Sequence, residues 1–442
     1  MKNAGKTLLS AAGMLLASVT AGMLLLMLVQ LVPGEAVRQN VLKAGAVFEK
    51  EGAEPSQEIR DRLPDWNESH PNVYPTWMIP WCNAYLDNQT DALMLLTAAY
   101  GGGEGIVEKA VMAKRELVEG HTTTQSIIRL AEAEKTGEEL PLVTESYPRY
   151  WHGYLVFLRP LLALFDYSGI RVILGITETL LAAATVLVLI RGGRKKWIPL
   201  YLLLWLMSFP AVLARSLQYS CIYLIYTLGD LLILAKWEKW KSGNSLIYVF
   251  LGLGIAAAYF DLLTYPVAAL GIPLVTVFLC RGFVSGKEDL LCLLKLGAAF
   301  ALGYAGMWAG KWILTWLIYG PEIFASVTET IAFRTSHSGK GGEPISLLSM
   351  YVRNLGGFVL NPGVVLALLI FFGLVAVRIK RRSFRLQAPL AFSLIALFPF
   401  AWLLVTANHA YIHSYFTCRS FLVTGFALLA MLRGIPSFKK TS

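Results

Sequence analysis

The stretch NHAYIHSYFTCR, Asn408 to Arg419, sets two histidines, an asparagine, two tyrosines and an arginine between two strongly apolar runs. Amide, imidazole and guanidinium groups donate hydrogen bonds to anions, and the planar guanidinium fork matches a phosphate. His409 and His413 are four residues apart, so a helix through the stretch would turn both to one face. The set suits an anionic head group at a membrane surface. The plainer alternative is an interfacial belt, in which Tyr and His sit half in water.

Similar groups stand at the ends of other apolar runs. Asp261 and Tyr265 lie in YFDLLTYP, Arg215 and Gln218 in ARSLQ, and Tyr150, His152 and Arg159 in RYWHGYLVFLRPLL. Lys311 sits within GYAGMWAGKWILTW, and Arg334 and His337 follow in FRTSHSGKGGEP. Ionisable side chains at membrane depth tend to face polar cavities. Each also has a bland reading: Lys311 snorkels to the surface, Arg159 pairs with a lipid phosphate, and Arg171 and Glu178, seven apart on one helical face, pair with each other. Taken together, Lys311, Arg334, His409, His413 and Arg419 are candidates for binding a phosphate. Asn408, Tyr150, His152, Arg159, Arg215, Gln218 and Tyr265 are candidates for lining the same cavity.

Candidate bases are carboxylates: Glu35 in LVPGEAVRQN, Asp87 and Asp91 in YLDNQTDALML, and Asp261. Asp91 also suits the first turn of a helix, where negative charge complements the helix dipole. Asp87, ahead of the expected cap Thr90, has less of a structural role to account for it.

Membrane spans must position these groups. The chain has 442 residues, 56% hydrophobic and only 15% charged, with mean hydropathy +0.55, which excludes a soluble globular protein of this size. Ten apolar runs approach the roughly 20 helical residues needed to cross a bilayer core. They cover Leu8 to Val32, Ile170 to Ile190, Trp197 to Leu213, Leu217 to Ala235, Leu246 to Phe260, Leu263 to Cys280, Leu290 to Ile318, Pro362 to Val377, Leu386 to Thr406 and Phe421 to Leu432. The run Trp151 to Phe165 is shorter, contains Arg159 and Pro160, and reads as an interfacial or re-entrant helix.

Basic clusters fall on every second connection: Lys2 and Lys6, Arg191 to Lys196, Lys236 to Lys241, Arg281 and Lys287, Arg378 to Arg385, and Lys439 and Lys440. Such loops are retained in the cytoplasm, so both termini are expected there and the chain is expected in the plasma membrane. Residues 33–150 carry 11 Lys plus Arg against 19 Asp plus Glu, a net of −8 within a chain of net +10, leaving +18 for the rest. The basic balance is therefore a topology signature and not a sign of nucleic acid. Cys82 and Cys418 are both expected on the outer side, where a disulfide stays open as an alternative; no CxxC or zinc spacing occurs.

The expected organisation is an all-α polytopic membrane protein: residues 1–32 as N-terminus and first span, 33–168 as a large helical extracytoplasmic loop with the interfacial helix, and 169–442 as a multispan domain with an outer loop at 319–361. Within the first loop, helical spacing predicts helices starting at Thr90 and over 104–120 and 122–135, hinged at GGGEG.

This arrangement resembles the C-type glycosyltransferases of the GT-C fold, membrane enzymes that use polyprenyl-phosphate sugars as donors. LDNQTDALML, RYWHGYLVFLRPLL, YFDLLTYP, GYAGMWAGKW and NHAYIHSYFTCR resemble segments of bacterial members of that superfamily. The resemblance implies transfer of a sugar from a polyprenyl-phosphate donor to a glycan or lipid acceptor of the cell envelope, with inversion. In that family an acidic residue near the first span acts as base or ligates metal, often in an Asp-X-Asp or Glu-X-Asp pattern. Here Glu35 alone holds the position, which leaves a divalent cation open. A translocator of lipid-linked glycans and a non-catalytic assembly protein are the alternatives; a transporter would place its polar residues at midplane between repeats, and no internal repeat is visible.

Overall fold

A computed structural model describes residues 2–51, 86–338, 344–380 and 390–432. The described residues are mostly helical, with one antiparallel strand pair, β1 (Arg115–Val118) with β2 (Leu142–Glu145), and an isolated bridge between Ser338 and Pro344. Helix α1 (Lys2–Val29) leads through Pro33 into α2 (Gly34–Leu42) and α3 (Ala44–Glu51). Then follow α4 (Asn88–Ala99), α5 (Ile106–Met112), α6 (Thr123–Thr136) and α7 (Leu155–Leu164). Thr122 starts α6 with a capping box to Gln125, and Gly137 ends it in the left-handed conformation at φ 73°.

The remainder is α8 (Tyr167–Arg191), α9 (Ile198–Met207), α10 (Pro210–Leu213), α11 (Leu217–Trp240), α12 (Ser245–Phe260), α13 (Val267–Arg281) and α14 (Gly286–Tyr319). It continues with α15 (Glu322–Thr335), α16 (Leu347–Val359), α17 (Pro362–Lys380), α18 (Leu390–Ala396), α19 (Phe398–Val405), α20 (Ala407–Ile412), α21 (Ser414–Thr417) and α22 (Leu422–Leu432). Each of the ten apolar runs overlaps one of these helices or a consecutive pair, and residues 386–389 of the ninth lie outside the described residues. Five stretches are long and apolar enough to cross a membrane: Gly5–Val29, Tyr167–Arg191, Leu217–Trp240, Gly286–Tyr319 and Ser414–Met431. A sixth is the pair Leu347–Val359 and Pro362–Gly373, bent by 70°. The molecule is therefore an all-α membrane protein by length and composition.

Small residues set a close helix crossing. A Cβ on Gly254 of α12 would overlap the Phe300 carbonyl of α14, and one on Gly303 would overlap the Leu251 carbonyl, so the two backbones touch. The helices of residues 34–164 pack on α1 and on the ends of α12 and α14 through Val37, Phe48, Leu95, Trp151, Leu158, Tyr259 and Met307. Trp151 donates its indole N–H to the Met307 carbonyl at 2.7 Å.

The connections separate into two ends. At one, Arg194 lies 3.9 Å from Glu238 and Asn244 donates to Thr7 at 2.8 Å. At the other, Asp91 accepts from Leu217 just after the turn 214–216, Gly153 donates to the Tyr259 carbonyl just before the turn 261–266, and Arg149 donates to Ser326 of α15.

Several local expectations need correction. Helix α4 begins at Asn88, capped by Asp87 and not by Thr90, because the Asp87 carboxylate accepts the Thr90 N–H. Residues 104–120 are a seven-residue helix followed by β1, since pairing with β2 satisfies the backbone of Arg115 to Val118. Arg171 and Glu178 do not pair: Arg171 holds Glu51 at 2.6 Å, and Glu178 accepts from the Ser220 hydroxyl at 3.3 Å. Asn408 to Arg419 is less a turn between spans than two short helices, the second of which opens the apolar stretch Ser414–Met431. Cys418 is a buried free thiol, and Cys82 lies outside the described residues.

Candidate functional site

The segment Ala407 to Phe421 is fixed from three sides. Asn408 receives the chain after α15, its N–H donating to Ser336 at 3.1 Å and its Nδ2 to Ser338 at 2.6 Å. Asn354 of α16 donates to the Ala410 carbonyl at 2.9 Å and accepts from Thr417 at 2.6 Å. His409 Nε2 donates to the Leu263 carbonyl at 2.8 Å, on the turn joining α12 and α13. That turn puts Leu263 at φ 67°, held by Asp261, whose carboxylate accepts from the N–H of Thr264 at 2.8 Å and from its hydroxyl. Burial pushes Asp261 up to about 7.

Among the described residues, three arginines here form no ion pair with a carboxylate. Arg419, 4% exposed, donates Nη1 to the Ser208 carbonyl at 3.0 Å and stacks 4.2 Å from the Tyr219 ring centroid. Among the described residues its Nε and Nη2 have no partner. Arg334 donates Nη1 to His413 Nε2 at 2.7 Å and leaves Nε unpartnered. Arg353, absent from the sequence-based candidates, lies 4.1 Å from the Tyr411 ring centroid with Nη1 unpartnered. Elsewhere Arg38, Arg115, Arg171 and Arg281 each hold a carboxylate. Buried donors without acceptors are costly, and a guanidinium stays charged, so these faces favour an anion.

Asp87 joins this group across more than 300 residues of sequence. It is buried, accepts from the N–H and hydroxyl of Thr90 at 3.1 and 2.7 Å, and accepts from the Tyr415 hydroxyl. Burial raises it to about 6, against those hydrogen bonds. The Tyr219 phenol, whose hydroxyl has no partner among the described residues, lies in the field of both Asp87 and Arg419. A buried carboxylate raised in this way can exchange a proton with a hydroxyl brought to it.

His409 cannot play the donor role that its residue type suggests. Its Nε2–H is spent on Leu263, burial and Arg334 push it down to about 3, and the remaining Nδ1 is a lone pair without a partner. Nδ1 accepts from a hydroxyl and repels an anion.

Most other candidates hold the scaffold. Asp91 accepts the N–H groups of Leu217 and Gln218 at 2.9 and 3.1 Å and the Tyr167 hydroxyl at 2.6 Å, so it caps α11. Gln218 is thereby positioned with its Oε1 unpartnered. Arg215 and Arg171 converge on Glu51; burial alone would raise that carboxylate, and the two cations hold it below its ordinary value. Lys311 is buried and donates to the Val111 carbonyl at 2.7 Å, at the end of α5, with the Trp151 ring 5.7 Å away. Arg159 binds the carbonyls of Ala98, Tyr100 and Val32, which ends α4 and fixes the exit of α1. His152, at φ 56°, meets the Tyr154 hydroxyl and the Tyr147 carbonyl at 2.9 Å each, and burial pushes it down to about 3. Tyr150 packs 4.9 Å from Trp308, and Tyr265 donates to the Tyr219 carbonyl at 2.6 Å. Glu35 is exposed on α2 and accepts from Gln39 at 2.8 Å, apart from the arginines.

Four residues that do not stand out in the sequence belong to the account: Tyr415, Tyr219, Arg353 and Glu51. Tyr415 stands inside NHAYIHSYFTCR and Tyr219 directly after Gln218; only their three-dimensional partners single them out. Deeper between the helices, Asp230 accepts from Thr276 at 2.7 Å, which is 2.7 Å from the Tyr201 hydroxyl. Among the described residues no three His, Cys, Asp or Glu side chains come together to hold a metal ion. No family model, curated protein or solved structure matches the chain.

Proposed function

We propose that this protein is a membrane glycosyltransferase of the GT-C kind, which takes a sugar from a polyprenyl-phosphate donor and passes it to an envelope glycan or lipid. The observation that carries the reading is Arg419: a buried guanidinium with two nitrogens unpartnered and no carboxylate within ion-pair distance among the described residues, lying over the Tyr219 ring, on which Asp87 also acts. A phosphoryl group supplies the missing acceptors.

In this scheme Asp87 takes the proton of the acceptor hydroxyl as that oxygen bonds to the anomeric carbon. The bond from that carbon to the phosphate oxygen breaks, and its electron pair leaves on the polyprenyl phosphate. Arg419 and the free faces of Arg353 and Arg334 stabilise the departing charge. Attack opposite the leaving group inverts the anomeric centre. Lys311 and Glu35, candidates for the centre of the site by residue type, drop out of the chemistry. In the finer topology the chain crosses the plasma membrane ten times with both termini cytoplasmic, using the short helices α9 with α10, α12, α13, and α18 with α19 as additional spans. The end bearing Asp87 and Arg419 then faces outward.

The test is transfer in reconstituted vesicles. Purified protein supplied with a mixture of polyprenyl-phosphate sugars and an envelope glycan fraction should release polyprenyl phosphate. Asp87→Asn should lower that rate by about 100-fold or more, the scale of a lost general base. Release that is absent with every donor, or equal in the variant, overturns the reading.

A further inference from the structure

Two residues whose types suggest contact with phosphate, Arg334 and His413, are arranged instead to act on Asp87. Arg334 is only a donor, so its Nη1 contact at 2.7 Å fixes His413 Nε2 as the bare nitrogen and leaves the ring proton on Nδ1. His413 Nδ1 is 3.4 Å from the Tyr415 oxygen, which the ring N–H can reach only as donor. With its oxygen receiving from His413, the Tyr415 hydroxyl donates its own proton to the Asp87 carboxylate. Every link therefore points the same way.

We infer that Arg334, His413 and Tyr415 form a one-directional hydrogen-bond relay that holds Asp87 ionised in a buried site, making all three positioning residues and Tyr415 the one in contact with the carboxylate. The relay starts on α15, crosses the junction of α20 and α21, and ends at the N-cap of α4, so it also couples the outer segment 319–361 to the base. Hydrogen bonds to the charged form lower a carboxyl's pKa, and donors in series polarise one another. Other groups act on Asp87 from the same surroundings. Thr90 and Asp91 belong to α4, the first donating and the second repelling; Tyr219 faces it from α11, with Arg419 beyond that ring. His413 has His409 at 4.8 Å and stacks on Phe416 at 5.1 Å between ring centroids, which covers a face of its ring.

The inference rests on the transferase reading, to which it gives a poised base, yet it is tested without substrate. The purified full chain is treated with a hydrophobic carbodiimide, which modifies only protonated buried carboxyls, and labelling of the Asp87 peptide is followed by mass spectrometry against pH. Tyr415→Phe should move the labelling midpoint up by about one pH unit, so that labelling at a pH just above the wild-type midpoint rises several-fold. His413→Ala and Arg334→Gln should move it the same way by less. Because they act through Tyr415, combining either with Tyr415→Phe should add nothing further. Thr90→Val serves as a second probe of the carboxylate, moving the midpoint independently of the relay and adding to the effect of His413→Ala. An unmoved midpoint in Tyr415→Phe, or additive effects of Tyr415 and His413, overturns the relay. Were Tyr415→Phe to fail to fold, the midpoints of His413→Ala and Arg334→Gln decide alone. Loss of transfer with a normal relay, or the reverse, separates the two proposals.

Discussion

Arg419 lies over Tyr219 with its guanidinium carbon 4.2 Å from the ring centroid, and both side chains keep polar atoms without partners: Nε and Nη2 of the arginine and the hydroxyl of the tyrosine. The cation–π contact and one carbonyl compensate part of the desolvation of the charge, not all of it. Without an anion, then, Arg419 costs stability. Arg419→Met should raise the thermal midpoint of the ligand-free protein, by the equivalent of at least about 1 kcal/mol, while abolishing stabilisation by added polyprenyl phosphate. A lower midpoint in both conditions would make Arg419 an ordinary structural residue.

Asp87 and Asp261 give stability a pH dependence of definite sign. Their folded-state values, about 6 and about 7, lie above the ordinary 3.8. Protonation therefore favours the folded state: the contribution is complete below the ordinary value and is lost as pH rises through about 7. A carboxyl whose pKa is displaced by one pH unit on folding changes stability by about 1.4 kcal/mol. The thermal midpoint should fall between about pH 4 and pH 7, and Asp261→Asn should flatten that fall. An Asp261→Asn profile parallel to wild type would contradict the burial of this carboxyl.

Glu51 holds Arg171 and Arg215 together at the junction of α3, α8 and α10. Glu51→Gln leaves two cations facing each other, one of them buried, and should cost about 3–5 kcal/mol. Chemical unfolding in detergent measures it. A cost below about 1 kcal/mol would show that water screens the pair.

At the crossing of α12 and α14, Gly254→Val and Gly303→Val each push a side chain into a facing carbonyl. Each should lower stability by about 1–3 kcal/mol, and the pair should be less than additive because either one separates the same two backbones. Full additivity would place the glycines in independent contacts.

The helices are legible in the sequence because their signal is local: about 20 apolar residues in a row need no partner to announce a helix. Breaks within them are legible only in part. Phe209 at φ 58° before Pro210 divides one run into α9 and α10, and the bend between α16 and α17 follows Asn361 and Pro362. The strand Arg115–Val118 stays hidden because its alternation is short and its partner, 142–145, begins 24 residues on. In the candidate site, residue types are readable and meetings are not. Lys311 and Arg159 look like anion-binding cations in the sequence, yet each ends a helix of the N-terminal region by binding its carbonyls. Asp91 looks like a first-turn residue of its own helix, and it caps α11 instead. Glu51 and Arg171 are 120 residues apart, and no periodicity reaches that far.

The orientation of the whole arrangement is testable by labelling. Single cysteines placed at Gly102 and Gly193, in a background lacking the native thiols, should differ: a membrane-impermeant maleimide applied to intact cells should reach the first and not the second. Reaction at position 193 alone would turn the site inward and remove an outer-leaflet donor from reach.

The central claim is that the unpaired arginine faces form the phosphate site, and affinity for polyprenyl phosphate in the purified, reconstituted protein tests it most directly. Wild type should bind. Arg419→Lys, which keeps the charge and loses the fork, should bind about 10-fold or more weakly, since a charge-assisted hydrogen bond is worth about 1.5–3 kcal/mol. His409→Ala should leave phosphate affinity nearly unchanged, because its ring offers an acceptor there and no donor. Equal affinity in wild type and Arg419→Lys, or a loss in His409→Ala as large as that in Arg419→Lys, would contradict the account.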